Sequence, residues 1–169
     1  MVLAGNLLSM VGCVVMVLIG FIKKKNQILA AQCFQFTFMG AGHLVLGASA
    51  GVVANAVSIV RNLIFYKVEP TWWLKLIFIL AQIVFTAVAG FSSSFELLPI
   101  VAVIIFTLSL SLKSDVQFKA VIILCQVMWL VYDTYHKNYV TAAADVLTMI
   151  TTVIGIVLII KNKPTATPN

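Results

Sequence analysis

Charge is what this 169-residue sequence has least of. Five carboxylates and eleven basic side chains make up 9% of the chain, against about 25% in an ordinary soluble domain. With 62% hydrophobic residues, where about 45–50% is usual, too little polar surface remains to cover a water-soluble fold. The composition excludes a soluble domain and implies an integral membrane protein. It reads as one transmembrane domain over residues 1–163, with a short disordered tail, 164–169, in the Pro- and Thr-containing end KPTATPN.

Cysteine is scarce as well. Cys13, Cys33 and Cys125 lie inside apolar runs with neither a pairing framework nor metal-ligand spacing, so a disulfide scaffold and a metal centre are both excluded. HExxH, GxSxG, a Cys/His cluster and a phosphate-binding glycine loop are all missing. No catalytic set and no cofactor are therefore expected, and the chain reads as a non-enzyme. The N-terminus lacks a basic n-region and a small-residue cleavage site, so the first apolar run is read as a retained helix. The net charge of +6 would suggest nucleic acid if the basic residues shared a face, but they sit in short clusters between apolar spans. Topology explains them, and no nucleic-acid partner is expected.

What the chain has in quantity is long apolar runs. A hydrocarbon core of about 30 Å needs roughly 20 helical residues, and cutting at charges and turn residues leaves seven spans. These are Leu3–Phe21, Ile28–Ala48, Gly51–Tyr66, Leu74–Phe91, Leu97–Leu112, Val116–Tyr135 and Tyr139–Ile160, the third and fifth being short. If the N-terminus lies outside, the inner side collects Lys23, Lys24, Lys25, Arg61, Lys67, Lys75, Lys113, Lys119, Lys161 and Lys163, leaving only Lys137 outside. Removing one crossing would scatter that asymmetry. The expected topology is seven helices, N-terminus outside and C-terminus cytoplasmic, with Trp72, Trp73, Tyr135 and Tyr139 at the interfaces.

Sliding the sequence by 90 residues lays spans one to three over spans five to seven. Lys23 then meets Lys113, Gln27 meets Gln117, Asn55 meets Asp145 and Ser58 meets Thr148. Two three-helix units joined by one extra helix must share an orientation, which predicts a parallel 3+1+3 repeat: residues 3–66, a linker helix over 74–91, and residues 97–160.

Polar residues inside the spans are the candidates for function. Asn55, Ser58 and Asn62 recur at i, i+3 and i+7 on span three, and Asp145, Thr148 and Thr152 form the related stripe on span seven. Span six carries Gln126, Trp129 and Asp133 at the same spacing, and the offset pairs Asp133 with His43. Asn55 and Asp145 lie roughly 10 Å below the outer helix ends. A solute cavity in the outer half of the bundle is therefore expected, lined by His43, Asn55, Asp133, Asp145 and Trp129, with Ser58 and Thr148 beside it. Each residue has a plainer reading. Ser, Thr and Asn at helical spacing glue membrane helices together, His43 can simply satisfy a neighbour, Trp129 can pack, and Asp133 can be solvated near the surface. Asp145 is costly in a membrane and so calls for a cavity or a partner. Arg61 is either an inner gate or anion contact, or a cation that snorkels to the inner surface. Gly40, Gly42, Gly47 and Gly51 bracket the hinge between spans two and three, and Pro99 marks the first turn of span five.

The run QCFQFTFMGAGHLVLGASAGVVANAVSIVRNLIFY, then ELLPIVAVIIF, then CQVMWLVYDTYHKNYVTAAADVLTMITTVIGIVL resembles the bacterial YgjV-type inner-membrane proteins. The specific pieces are Leu46, Gly47, Gly51, Asn55, Arg61 and Asn62, the Leu98-Pro99 pair, and Trp129 with Tyr132. That family is grouped with the MtN3/SWEET, PQ-loop and nicotinamide-riboside transporters. The resemblance implies a 3+1+3 fold, a multi-pass inner-membrane location and passage of a small solute. In SWEET-type members an asparagine on the third helix of each repeat and nearby tryptophans contact the solute, which matches Asn55, Asp145 and Trp129 here. Asp145 replaces the second asparagine, Met39 stands where the other repeat has Trp129, and no Pro-Gln motif occurs. A sugar specificity does not carry over.

The expected function is a small-solute transporter or facilitator working by alternating access. The expected partners are the lipid bilayer, a small polar or amine-bearing solute and a coupled proton, with a homo-oligomer possible. The competing reading is a non-transporting receptor or scaffold, favoured if Asn55 and Asp145 are sealed in mutual hydrogen bonds.

Overall fold

The computed structural model describes residues 1–90 and 93–161. The tail at 164–169 and the predicted end of span four at Phe91 lie outside the described residues. Among the described residues seven helices follow one another: α1 (Val2–Ile19), α2 (Lys25–Leu46), α3 (Ser49–Lys67), α4 (Trp72–Ala89), α5 (Leu97–Ser109), α6 (Asp115–Tyr135) and α7 (Tyr139–Lys161), with one 3-10 turn, Ser94–Glu96, before α5. No strand occurs among the described residues. Every predicted span is present within a few residues of its expected ends. Six helices are long and apolar enough to cross a membrane. The exception, α5, has 13 residues and rises about 20 Å. Pro99 is its third residue, where its missing N–H has no intrahelical acceptor to satisfy.

Polarity is distributed as a hydrocarbon solvent requires. Leu3, Val14, Trp73, Val88, Leu147 and Ile160 are exposed, while Gln32, Gln82, Thr107, Asp133 and Asp145 are buried. The helices pack as a ring in the order α1, α2, α3, α5, α6, α7 and back to α1, and α4 lies outside it against α3 and α5. Two helix triplets thus meet at two seams, α1 against α7 and α3 against α5.

Matching interactions hold the two seams. At the α2–α3 end, Asn6 Oδ1 accepts from the Val140 N–H in the first turn of α7 (2.9 Å), and Glu96 Oε2 accepts from the Ala50 N–H in the first turn of α3 (3.1 Å). Both acceptors satisfy a helix N-terminal N–H that has no intrahelical partner, and the two donors, like the two acceptors, are 90 residues apart. At the opposite end, Lys119 Nζ donates to Gly20 O and Lys25 Nζ donates to Leu110 O, each at 2.7 Å. A lysine on the second helix of one triplet thereby caps the C-terminal carbonyls of the first helix of the other, where the helix dipole favours a cation.

The turns that close α2 and α6 also match. Gly47 and Lys137 have positive φ of 71° and 60°. Beyond them, the Ala48 N–H donates to His43 O (3.0 Å) and the Asn138 N–H to Asp133 O (2.8 Å). A left-handed residue ends both helices. Glycine meets that demand without strain at position 47, whereas Lys137 carries a Cβ into a region that disfavours it.

Lys119 is buried, so its bond to Gly20 O is shielded from competing water. Replacing it by Met keeps the length and volume but removes the charge-assisted bond. Lys119→Met is expected to cost about 1.5–3 kcal/mol, read as a lower unfolding temperature of the detergent-purified protein. An unchanged transition would show that the seam does not depend on this cap.

Candidate functional site

In the centre of the ring lies a cavity of about 50 Å³ whose walls come from all six ring helices. At roughly 10–15 Å³ per molecule it has room for about three to five waters. The lining includes Asn55, Ser58 and Arg61 of α3, Trp129 of α6, and Asp145 and Thr148 of α7. Six of the eight residues singled out in the sequence therefore meet at one space.

His43 and Asp133, expected in the same wall, lie beyond it. His43 Nε2 donates to Asp133 Oδ1 at 2.7 Å, and both side chains are fully buried. Each is the other's counterpart at the 90-residue offset, so the pair sits where the two triplets come together. Asn55 joins them: its Nδ2 donates to Gly51 O (2.7 Å) and to His43 Nδ1 (3.0 Å). The bond to the Gly51 carbonyl sets the amide orientation, which makes His43 Nδ1 an acceptor and puts the ring hydrogen on Nε2. Asn138 Nδ2 donates to Asp133 Oδ1 (3.2 Å) and to Ser9 Oγ (3.3 Å).

Next to this cluster, the Gly51 N–H donates to the Tyr132 hydroxyl (2.8 Å). The hydroxyl donates in turn to Glu96 Oε2 (3.3 Å), and His136 Nε2 donates to Glu96 Oε1 (3.0 Å). Together these groups form a polar seal between the cavity and the α2–α3 end. Gly51 is required there. A Cβ at its position would lie 2.9 Å from His43 Cγ and 3.0 Å from Tyr132 Cε1. Trp129 stacks on the inner side of the seal, its ring centroid 5.8 Å from that of His43 and the planes 28° apart.

The two polar stripes have different fates. On α3, Asn55 is bonded as above, and Asn62 Oδ1 accepts from Arg61 Nε (3.1 Å) and Nη2 (3.0 Å) while its Nδ2 donates to Gln32 Oε1 (2.9 Å). On α7, Asp145 is wholly buried, and among the described residues neither of its carboxylate oxygens has a donor and the hydroxyls of Thr148 and Thr152 lack partners. A carboxylate deprived of both water and donors is among the most costly groups a membrane interior can hold. Arg61 does not snorkel. It is 1% exposed, its Nη1 donates to Thr107 Oγ1 (3.0 Å), and its guanidinium carbon lies 4.6 Å from the Phe106 ring centroid.

Glu96, His136, Asn138, Asn6 and Gln32 do not stand out in the sequence, and Tyr132 does so only as part of a family pattern. One signal is available. The same offset of 90 that pairs Asn55 with Asp145 pairs Asn6 with Glu96 and Ala50 with Val140, the two capping contacts. Thr107 and Gln32 have no comparable signal, because nothing in the sequence indicates which neighbouring helix a lone polar residue faces.

Substitutions should separate the seal from the unbonded stripe. Asp133→Leu strips the acceptor from His43 and Asn138 and is expected to cost about 3–5 kcal/mol. Gly51→Ala forces the two rings back and should cost about 1–3 kcal/mol. Asp145→Asn has, among the described residues, no hydrogen bond to lose and should leave the unfolding temperature unchanged or higher. Thermal unfolding of the three purified variants checks the order, and a large loss for Asp145→Asn would show that Asp145 supports the fold.

No curated protein and no solved structure matches the chain. The sequence model of Imp-YgjV, described as bacterial inner membrane protein, matches residues 3–163. With six helices long and apolar enough to cross a membrane, this chain is a multi-pass member of that bacterial inner-membrane family.

Proposed function

We propose that this protein is a small-solute transporter or facilitator whose two helix triplets, α1–α3 and α5–α7, are parallel repeats that rock against each other around the central cavity, with α4 as the linker. One observation carries the reading: a wholly buried Asp145 faces a cavity reached by all six ring helices, and neither of its oxygens has a donor among the described residues. A group kept at such a cost without a structural bond is suited to meet a ligand or a proton. The matched caps, turns and lysine contacts support the repeat. The basic residues gathered at the α1–α2 end support an N-terminus outside and a C-terminus in the cytoplasm.

In this reading the state described is closed on the outer side, where His43, Asp133, Asn55, Tyr132 and Glu96 bond to one another. Opening requires these bonds to be exchanged for water, and a hydrated outer vestibule supplies it. Asp145 then takes the amine of the solute or a proton, which couples charge neutralisation to closure. A cation matches the carboxylate better than a neutral sugar does.

Asn55 favours the second reading in part, since it is sealed by His43 and Gly51 as a merely structural residue would be. A receptor or scaffold would need no free carboxylate beside it. The test is a thermal-shift screen of the native protein and Asp145→Asn against amines, nucleosides, vitamins and sugars, followed by uptake into proteoliposomes for every hit. A ligand at 100 times its Kd adds about 2.7 kcal/mol of stability, and the expected result is an amine-bearing hit that the variant loses and the vesicles accumulate. Hits that bind without crossing would favour the receptor.

A further inference from the structure

Asp145 is not the only unmatched charge on the cavity. Arg61 lines it too, is 1% exposed, and among the described residues no carboxylate pairs with it. Among the described residues its nitrogens bond only neutral oxygens, Asn62 Oδ1 and Thr107 Oγ1. The cavity therefore carries one buried basic group and one buried acidic group, and among the described residues neither is paired with an opposite charge. A buried charge without a counter-charge is expensive, and hydrogen bonds to neutral groups compensate it only in part.

The spacing of the two follows from the helices. Asn55 is the seventh residue of α3 and Asp145 the seventh of α7, both counted from the same end of the bundle, so they stand at equal depth. Arg61 lies six residues further along α3, about 9 Å deeper. Between the two levels the wall supplies the aromatic rings of Trp129 and Phe106 and the amide of Gln126, with no other charge among the described residues. The arrangement is a carboxyl group toward the α2–α3 end, a guanidinium toward the opposite end, and a neutral stretch between them.

We propose that the solute is a small zwitterion, with an ammonium group held by Asp145 and a carboxylate held by Arg61, the two separated by the length of a dipeptide or of a medium-chain ω-amino acid. This rests on the solute-carrier reading and narrows it. A dipeptide spans about 7 Å when extended, close to the difference in depth, whereas the charges of a single α-amino acid are too near each other to reach both groups. A zwitterion offers the carboxyl and the guanidinium each a partner of opposite charge and itself carries no net charge, which neither a simple amine nor a simple acid can do. The bidentate fork of arginine suits a carboxylate.

The experiment compares end-capped ligands of one length on the native full chain in detergent. Binding is measured by thermal shift and by calorimetric titration for glycylglycine, 6-aminohexanoate, glycylglycinamide, N-acetylglycylglycine and glycine. Glycylglycine and 6-aminohexanoate should bind, and capping either end should weaken affinity by about tenfold or more, the scale of one charge-assisted contact. Glycine should bind no better than the capped peptides. Arg61→Gln should abolish the advantage of glycylglycine over glycylglycinamide and leave glycylglycinamide itself unchanged. If the amide-capped peptide binds the native protein as tightly as the zwitterion, the inference is overturned and the amine-carrier reading stands. If no charged probe binds while a neutral solute does, the zwitterion is overturned and the carrier reading again survives. Silence toward every solute in both screens overturns the two together. The comparison on native protein does not depend on either variant folding.

Discussion

Hydrocarbon offers no hydrogen bonds, and that constraint organises this molecule. Each polar group that enters the membrane must find its partner inside the protein, so polar side chains are gathered inside the ring and its outer surface is apolar. Helices satisfy their own backbones except at their ends. The ends are where the two triplets are joined, by Asn6 and Glu96 at one side and by Lys25 and Lys119 at the other. The residues that complete each helix terminus are thus the same ones that hold the seams.

The constraint also explains why the seal and the cavity differ. In the seal, His43, Asp133, Asn55, Asn138, Tyr132 and Glu96 pass bonds to one another in an almost closed network, with Asp133 Oδ2 and Asn138 Oδ1 left over among the described residues. Such networks rigidify because breaking any member strands its neighbours. Deeper on α7 the rule is broken: among the described residues Asp145 and Thr148 are buried with side-chain oxygens that bond to nothing. The contrast within a few ångströms of helix separates side chains bonded to one another from side chains that, among the described residues, have no partner. Arg61 belongs with the second group by charge and with the first by its bonds to Asn62 and Thr107.

Much of the fold is legible in the amino-acid order alone. Apolar runs and charge clusters locate all seven helices, because a span must be long, apolar and bounded by groups that prefer water. The offset of 90 brings His43 to Asp133, and they are bonded. The same offset suggests that both line the cavity, and there the expectation fails. The two residues approach each other where the two triplets come together, and their pairing removes them from the cavity. Glu96 escapes notice because a carboxylate beside a predicted loop reads as solvated. The chain folds it inward instead, to the first turn of α3 and to Tyr132.

The sequence by itself determined that the chain lives in a membrane, how many helices it has, and which polar residues are too costly to be accidental. These follow from local composition and helical period, which need no knowledge of neighbours. The tertiary structure alone decided which of those residues are satisfied. Asn55 and Asp145 are equivalent in the sequence, at the same position of their helices, yet one side chain is bonded twice and the other, among the described residues, not at all. That difference depends on which side chains the neighbouring helices α2 and α6 turn toward each position, and helical period alone does not give such packing.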